Sequence, residues 1–175
     1  GFVQKGNSMF EISNDTASFG RRFGLAPDFG LLNLTVNYDL AKFAPTHVMV
    51  SGDYVRNIGY DAEKIRARLD GGALFVDSSL FTADPSDVKN EGYQLKLTVG
   101  WPDTQVSRSW QAFMAFRYLE RDAVLDAFTD SDFHLGGTNS KGWMLGGSYG
   151  LTENTSLTAR YLSSDEIDGP PLGID

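Results

Sequence analysis

Few side chains in this sequence are suited to catalysis or metal binding, and most of those are acids. The 175 residues include no cysteine and two histidines, His47 and His134, which excludes thiolate chemistry and disfavours a histidine-based metal site. No serine stands in a nucleophile-elbow motif. Asp122, Asp130 and Asp132 resemble a calcium loop only weakly, because the acid that closes an EF-hand loop is missing. The sequence therefore predicts no enzyme and no cofactor, with these acids as weak metal candidates.

The overall charge excludes one class of partner. With 23 acidic and 15 basic side chains the net charge is −8, whereas nucleic-acid binding needs a basic surface that replaces the counterions of phosphates. No apolar run reaches the roughly 18 residues of a membrane-spanning helix, but a strand of a membrane barrel needs only about 9–11. We therefore expect no nucleic-acid partner and one folded domain, residues 1–175, that is rich in β-structure.

Six segments alternate between apolar and polar residues with the period of a β-strand. They span residues 31–40, 46–57, 93–101, 110–120, 142–151 and 156–164. In a soluble sandwich the apolar face would pack in a core, whereas in an outer-membrane barrel it would face lipid and the polar face would line a watery interior. The candidate pore-lining residues on the polar face are Asn33, Thr35, Asn37, Asp39, Asp53, Lys96, Arg117 and Arg160.

The connections between these segments alternate in length, which favours the barrel. Short connections cover 41–45, 102–109 and 152–155, whereas 58–91 and 121–141 are long, and 1–30 and 164–175 also have the composition of long loops. Transmembrane barrels have short turns at one end and long loops at the other, and sandwiches are not obliged to. Within loop 58–91, residues Asp61 to Leu69 could form a short helix.

The apolar-face aromatics fall into two bands when the strands are oriented by this rule. The band near the short turns contains Tyr38, Trp101, Trp110 and Tyr149, and the band near the long loops contains Tyr54, Tyr93, Tyr118, Trp143 and Tyr161. Amphipathic rings favour the two interfaces of a membrane, whereas a soluble core has no reason to move them to both strand ends. The bands therefore indicate that the apolar face meets lipid and that the polar face is the wet interior.

Two observations suggest that loops fold into this interior. Phe113 and Leu119 lie on the polar face of their segment, where a folded loop could cover them. Loop 58–91 also carries charges that could narrow a pore and set its charge preference, as charged rings do in channels. These constriction candidates are Asp61, Arg66, Arg68 and Asp70, and the alternative is that they form the wet face of a short helix.

Two stretches of the sequence resemble the C-terminal part of a family of putative porins of Gram-negative outer membranes. They are LLNLTVNYDLAKFAPTHVMVSGDYVRNIGYD and AFTDSDFHLGGTNSKGWMLGGSYGLTENTSLTARYLSSDEIDGPPLGID. The DSDF and GGTNSKG stretches are the most specific parts of the resemblance. It implies an outer-membrane antiparallel β-barrel that passes small solutes and carries no catalytic residues. Members of that family are longer and end in a further strand, so we expect an incomplete barrel or fragment.

These observations lead to one expected function and two alternatives. The expected function is passive diffusion of small hydrophilic solutes or ions through a meander β-barrel in the outer membrane of a Gram-negative bacterium, with membrane lipid as partner and a homo-oligomer as a further possibility. One alternative is a non-conducting outer-membrane protein that serves structure or adhesion. The other is a soluble β domain that binds a ligand through its long loops.

Overall fold

The computed structural model describes residues 6–11, 23–72 and 88–168. Its elements are β1 (Met9–Glu11), β2 (Phe23–Leu25), β3 (Leu31–Phe43), β4 (Thr46–Asn57), α1 (Ala62–Gly72), β5 (Glu91–Gly100), β6 (Trp110–Leu119), β7 (Ser140–Thr152) and β8 (Thr155–Glu166), with a 3₁₀ turn at Asp126–Phe128. The six strands that the alternation predicts are confirmed as β3 to β8. The helix expected within loop 58–91 is confirmed as α1.

Strands β3 to β8 form one antiparallel meander in which each strand pairs with its neighbours in sequence. The aromatics of the predicted long-loop band stand in register across it: Tyr54 pairs with Tyr93, and Tyr93 with Tyr118. The rings of Tyr93 and Tyr118 stack with their centroids 5.3 Å apart. Within the described residues the sheet stays open, with β3 and β8 at its edges, as expected of part of a barrel wall. No helix there is both long enough and apolar enough to cross a bilayer.

Three predicted loops are shorter than their sequences suggested. The loop expected over 1–30 contains the two-stranded sheet β1–β2. The loops expected over 121–141 and 164–175 lose residues to strands, because β7 begins at Ser140 and β8 continues to Glu166. The pairing extends past the alternating pattern to Ser140 and Glu166, and beyond them the backbone N–H of Ile167 donates to the carbonyl of Asn139 at 3.1 Å.

The apolar face of the sheet is exposed, and the described residues place no second layer over it. Val36 is 59% exposed, Leu95 58% and Leu157 64%, although all three lie within long strands. On the opposite face Ala115 is only 2% exposed. A soluble sandwich would bury the first set, because large apolar side chains provide most of the free energy of folding in water. Exposure of a broad apolar surface is the arrangement required of a wall surrounded by lipid.

Part of the buried core lies among the loops next to the end of β4. Asn57, the last residue of β4, is 0% exposed there and its side chain binds four backbone groups. The Asn57 side-chain oxygen accepts from the N–H groups of Gly30 at 2.9 Å and Gly59 at 3.0 Å. Its side-chain nitrogen donates to the carbonyls of Asp28 at 3.0 Å and Asp122 at 3.1 Å. One side chain thus joins three loop segments that are far apart in sequence.

Two buried acids attach the segment before β1 to the loop between β6 and β7. Asp122, 1% exposed, accepts from the backbone N–H of Ser8 at 2.9 Å and from its hydroxyl at 2.6 Å. Asp126 accepts from the N–H of Gly6 at 2.9 Å and from the N–H of Thr138 at 2.9 Å. Buried carboxylates are tolerated when donors of this kind satisfy them. The loops therefore form a packed cap with its own polar core.

The stability of this cap should depend on pH, because burial raises the pKa of Asp122 from 3.8 to about 6. The donors of Ser8 and the charge of Arg121 act in the opposite direction, and the charge of Asp126 reinforces the shift. The folded state therefore binds this proton more tightly than the unfolded state. Stability should accordingly be higher at low pH and should be lost as pH rises through about 6.

Between pH 7 and pH 5 this group should add about 1–1.5 kcal/mol to the free energy of unfolding. Asp122→Asn keeps an acceptor for the Ser8 amide and removes the titration, so the variant should lose that part of the dependence. Denaturant unfolding of both proteins in detergent at several pH values measures the difference. Parallel pH profiles for the wild type and Asp122→Asn would contradict the assignment.

Candidate pore-lining face

All eight residues predicted to line a pore lie on one face of the sheet. The register connects Thr35 with Asp53, Asp53 with Gln94, and Gln94 with Arg117, so one row crosses four strands on that face. A second row runs from Asp39 through Met49, Thr98, Phe113 and Gly146 to Arg160. Because side chains alternate along each strand, Asn33, Asn37 and Lys96 share this side as well. We call it the polar face.

Acids and their polar partners occupy the β3–β4 side of the polar face. The hydroxyl of Thr35 donates to Asp53 Oδ1 at 2.7 Å, and the hydroxyl of Ser51 donates to Asn37 Oδ1 at 2.8 Å. Near the short turn, His47 Nδ1 lies 2.9 Å from Asp39 Oδ1. Cross-strand contacts of this kind hold the carboxylates in fixed positions on the wall.

Basic side chains occupy the β5, β6 and β8 side. Lys96 Nζ lies 4.7 Å from the centre of the Phe113 ring, and Arg117 Nε donates to Gln94 Oε1 at 2.9 Å. Arg160 forms an ion pair with Asp132, 3.1 Å between nitrogen and oxygen. The wall thus separates negative charge on β3 and β4 from positive charge on the later strands. Such a separation produces a field across the face that acts on any charged solute passing over it.

The loop between β6 and β7, residues 120–139, folds over the polar face. Phe133 is 2% exposed and its ring lies beneath the Arg117 guanidinium, 4.9 Å from ring centre to Cζ. Besides the pair between Asp132 and Arg160, His134 Nδ1 lies 3.2 Å from the hydroxyl of Ser164 on β8. Of the two residues expected under a folded loop, Leu119 is buried at 9% exposure and Phe113 is half-buried. We call residues 120–139 the covering loop.

Of the constriction candidates predicted in loop 58–91, Arg66 and Arg68 lie in α1 and Asp61 directly precedes it. Asp61 caps α1, with Oδ1 accepting from the N–H of Glu63 at 3.1 Å, and Arg66 is exposed. Arg68 donates to the carbonyl of Ala26 and pairs with Asp28 at 2.8 Å, which lowers the pKa of that carboxyl. The side chain of Asp70 and residues 73–87 lie outside what the structure describes. A role for these residues in narrowing a pore stays a prediction. Among the described residues, the covering loop contacts the polar face through Asp132, Phe133 and His134.

The three weak metal candidates have separate partners. Asp122 binds Ser8 inside the cap, Asp132 pairs with Arg160, and Asp130 Oδ1 accepts from the backbone N–H of Asp132 at 3.0 Å. In the described parts of the chain, no three acidic or histidine side chains are grouped as a metal ion would require. Each of the three acids thus has a partner within the protein.

A cavity of about 300 Å³ lies between the polar face and the covering loop. Sequence reasoning identified Asn33, Asp53 and Arg117 of its lining as pore candidates, but not Gln94 and Phe128. The parity of Gln94 could have identified it, since Gln94 lies two residues before Lys96 and therefore on the same face of β5. Phe128 carries no such signal, because its position depends on how the covering loop folds.

The chain matches the family model described as a putative porin over residues 1–175, its whole length. No curated protein and no solved structure matches it. The fold agrees with the family match, since the six strands form a meander that is apolar and exposed on one side and charged on the other. The chain therefore belongs to the putative porin family.

Proposed function

We propose that this chain forms part of the wall of an outer-membrane channel through which small hydrophilic solutes or ions diffuse passively. The observation that carries the proposal is the pairing of two unlike faces on one sheet. One face is apolar and exposed, whereas the other holds fixed charges and is covered by a loop. Lipid on the first side and water on the second satisfy both faces. Membership of a porin family supports the same location.

The covering loop supports a selective channel over a wide, featureless one. It brings Asp130 and Asp132 towards a wall that carries Arg117 and Arg160, so opposite charges line a narrowed space. Solutes would pass close to these charges, where they are less screened than in bulk water. The apolar outer face could also contact a second copy of the protein in place of lipid. The proposal therefore includes a homo-oligomer.

Conductance of the purified full-length protein in planar lipid bilayers tests the proposal. Steps of ionic current that depend on the protein would support it. A protein that inserts in the outer membrane without conducting would instead have a structural or adhesive role. A protein that stays monodisperse without detergent would be a soluble β domain. Either result would overturn the proposed function.

Reversing the charge of both wall arginines should shift ion selectivity towards cations. In Arg117→Glu/Arg160→Glu the wall loses two positive charges and gains two negative ones, and Asp132 also loses its ion-pair partner. Each change favours cations in the pore, so we expect a several-fold rise in the cation-to-anion permeability ratio. The reversal potential in a salt gradient measures this ratio.

Arg56→Glu is the matched control for this experiment. Arg56 lies on β4 with the opposite parity, is 51% exposed and pairs with Glu91 at 3.4 Å, so Arg56→Glu makes one such charge reversal on the outer face, half the total change of the double variant. It should leave the reversal potential close to that of the wild type. An equal shift in both proteins would show that the polar face does not set selectivity.

A further inference from the structure

The cavity under the covering loop contains one cation and two anions that do not neutralise each other directly. Arg117 lies on β6, Asp53 faces it from β4 and Asp130 from the covering loop, and all three line the cavity. Within the described ranges, neither acid forms an ion pair with Arg117. Charges of opposite sign thus surround an open space.

Each of the three charged groups is held in place while part of it stays available. The Nε of Arg117 donates to Gln94 and its plane lies against Phe133, so the side chain is oriented while its two terminal nitrogens are left for another acceptor. Asp53 receives the Thr35 hydroxyl on Oδ1, and Asp130 receives the Asp132 amide on Oδ1. In both acids the second oxygen has no hydrogen-bond partner within the described residues. Preorganised donors and acceptors of this kind are typical of a binding site.

The charge balance of the cavity selects the type of ligand. A simple anion would gain from Arg117 but would be repelled by two carboxylates, and a simple cation would face the opposite problem. A molecule that carries one carboxylate and one ammonium group can satisfy both signs, since a guanidinium binds carboxylate with two parallel hydrogen bonds. The excess of one negative charge in the lining means that the ammonium group is required as well as the carboxylate.

The size and the remaining lining of the cavity restrict the ligand further. About 300 Å³ is at the small end of ligand pockets. Val55, Val124 and Phe128 contribute apolar surface, and Phe128 is 75% exposed. A short aliphatic group would cover part of that ring and remove apolar surface from water.

We propose that this cavity binds a small zwitterion, with Arg117 holding its carboxylate, Asp53 and Asp130 holding its ammonium group, and Phe128 contacting a short apolar body. Aliphatic α-amino acids have this chemistry. The inference rests on the proposed diffusion function, because it treats the cavity as a binding site that solutes occupy while they cross the channel. It can nevertheless be tested by binding alone, in the absence of any measurement of current.

Isothermal titration of the detergent-solubilised full-length protein with three matched probes tests the inference. L-valine carries both charged groups, isovalerate lacks the ammonium group, and isobutylamine lacks the carboxylate. We expect L-valine to bind in the millimolar range and each of the other two to bind at least about tenfold more weakly, since each lacks one charge-assisted interaction. Equal binding of valine and isovalerate, or no binding of valine, would overturn the inference.

Substitutions assign the binding to this cavity. Arg117→Gln and Asp53→Asn should each weaken valine binding about tenfold or more, and the second change is isosteric and keeps an acceptor for Thr35. Lys96→Gln removes a cation from the same face outside the cavity lining and should bind valine as the wild type does. Weakening by Lys96→Gln equal to that by Arg117→Gln would indicate a general charge effect and would contradict the site.

Bilayer recordings separate this inference from the proposed function. If the protein conducts and L-valine alone interrupts the current, both stand. If it conducts and shows no binding or blockage specific to valine, the site is wrong and the channel stands. If it binds valine and does not conduct, the site stands and the proposed diffusion function is wrong.

Discussion

Val36→Arg should lower the free energy of unfolding by about 2–4 kcal/mol, the cost of an arginine that faces lipid near the bilayer midplane. Val36 is 59% exposed near the middle of β3. In water, a substitution at so exposed a position would change stability by about 0.5 kcal/mol or less. The size of the loss in stability therefore shows whether lipid or water surrounds this side of the sheet. Reversible unfolding of the full-length protein in lipid vesicles measures it.

The neighbouring position provides the control. Asn37 lies beside Val36 on the polar face, is exposed, and accepts a hydrogen bond from the hydroxyl of Ser51 at 2.8 Å. Asn37→Arg places the same charge where water and the acids of β3 and β4 can accommodate it, so its cost should stay below about 1 kcal/mol. Similar costs at the two positions would mean that the faces are wrongly assigned.

Asn57→Ala should destabilise the cap of loops by about 3–5 kcal/mol. The change removes four hydrogen bonds and leaves two backbone N–H groups and two carbonyls without a partner in a buried place. An unsatisfied buried polar group costs about 1–3 kcal/mol, and water that enters the vacated space would recover part of the sum. The Asn57 side chain protects the amides of Gly30 and Gly59 from hydrogen exchange, so the exchange of both amides should become faster as the cap loses stability.

A second asparagine tests whether this cost reflects burial. Asn37→Ala removes the same side chain from an exposed position, where water replaces the lost contact, and should change stability by about 0.5 kcal/mol or less. If Asn57→Ala were equally mild, the cap would be a loose collection of loops and not a packed unit. We therefore expect Asn57→Ala to lower the free energy of unfolding far more than Asn37→Ala does.

The strands could be predicted from the sequence because a barrel wall is organised by local alternation. Leu95, Lys96 and Leu97 already show which side of β5 is apolar, and the register of the hairpins brings Asp39 to His47 over a short turn. The orientation of the faces followed from the aromatic bands. These signals extend over a few residues, which is the range in which sequence patterns are informative.

The cap and the covering loop could not be predicted in the same way, because their contacts join distant residues. Asp122 appears in the sequence as one more acid of a polar loop, yet its partner Ser8 is 114 residues away. The sequence around Asp132 predicts at most a weak metal ligand, whereas the partner of Asp132 is Arg160, 28 residues further along. No periodicity records such pairings, and β1 and β2, with three residues each, are too short to show any. The cavity also depends on such distant contacts, since two of its charged residues, Asp53 and Arg117, come from the wall and the third, Asp130, comes from the covering loop.

The nearest-neighbour order of the meander has a consequence for how such a wall can change size in evolution. Since the strands of the described meander pair in the order of the sequence, a duplicated or deleted hairpin would widen or narrow the circumference without repacking an interior. The covering loop sets a limit to this freedom. It leaves β6, returns to β7, and is also fastened to Arg160 and Ser164 on β8. Strands β6 to β8 with their loop would therefore be inherited as one module, and hairpins would be gained or lost outside it.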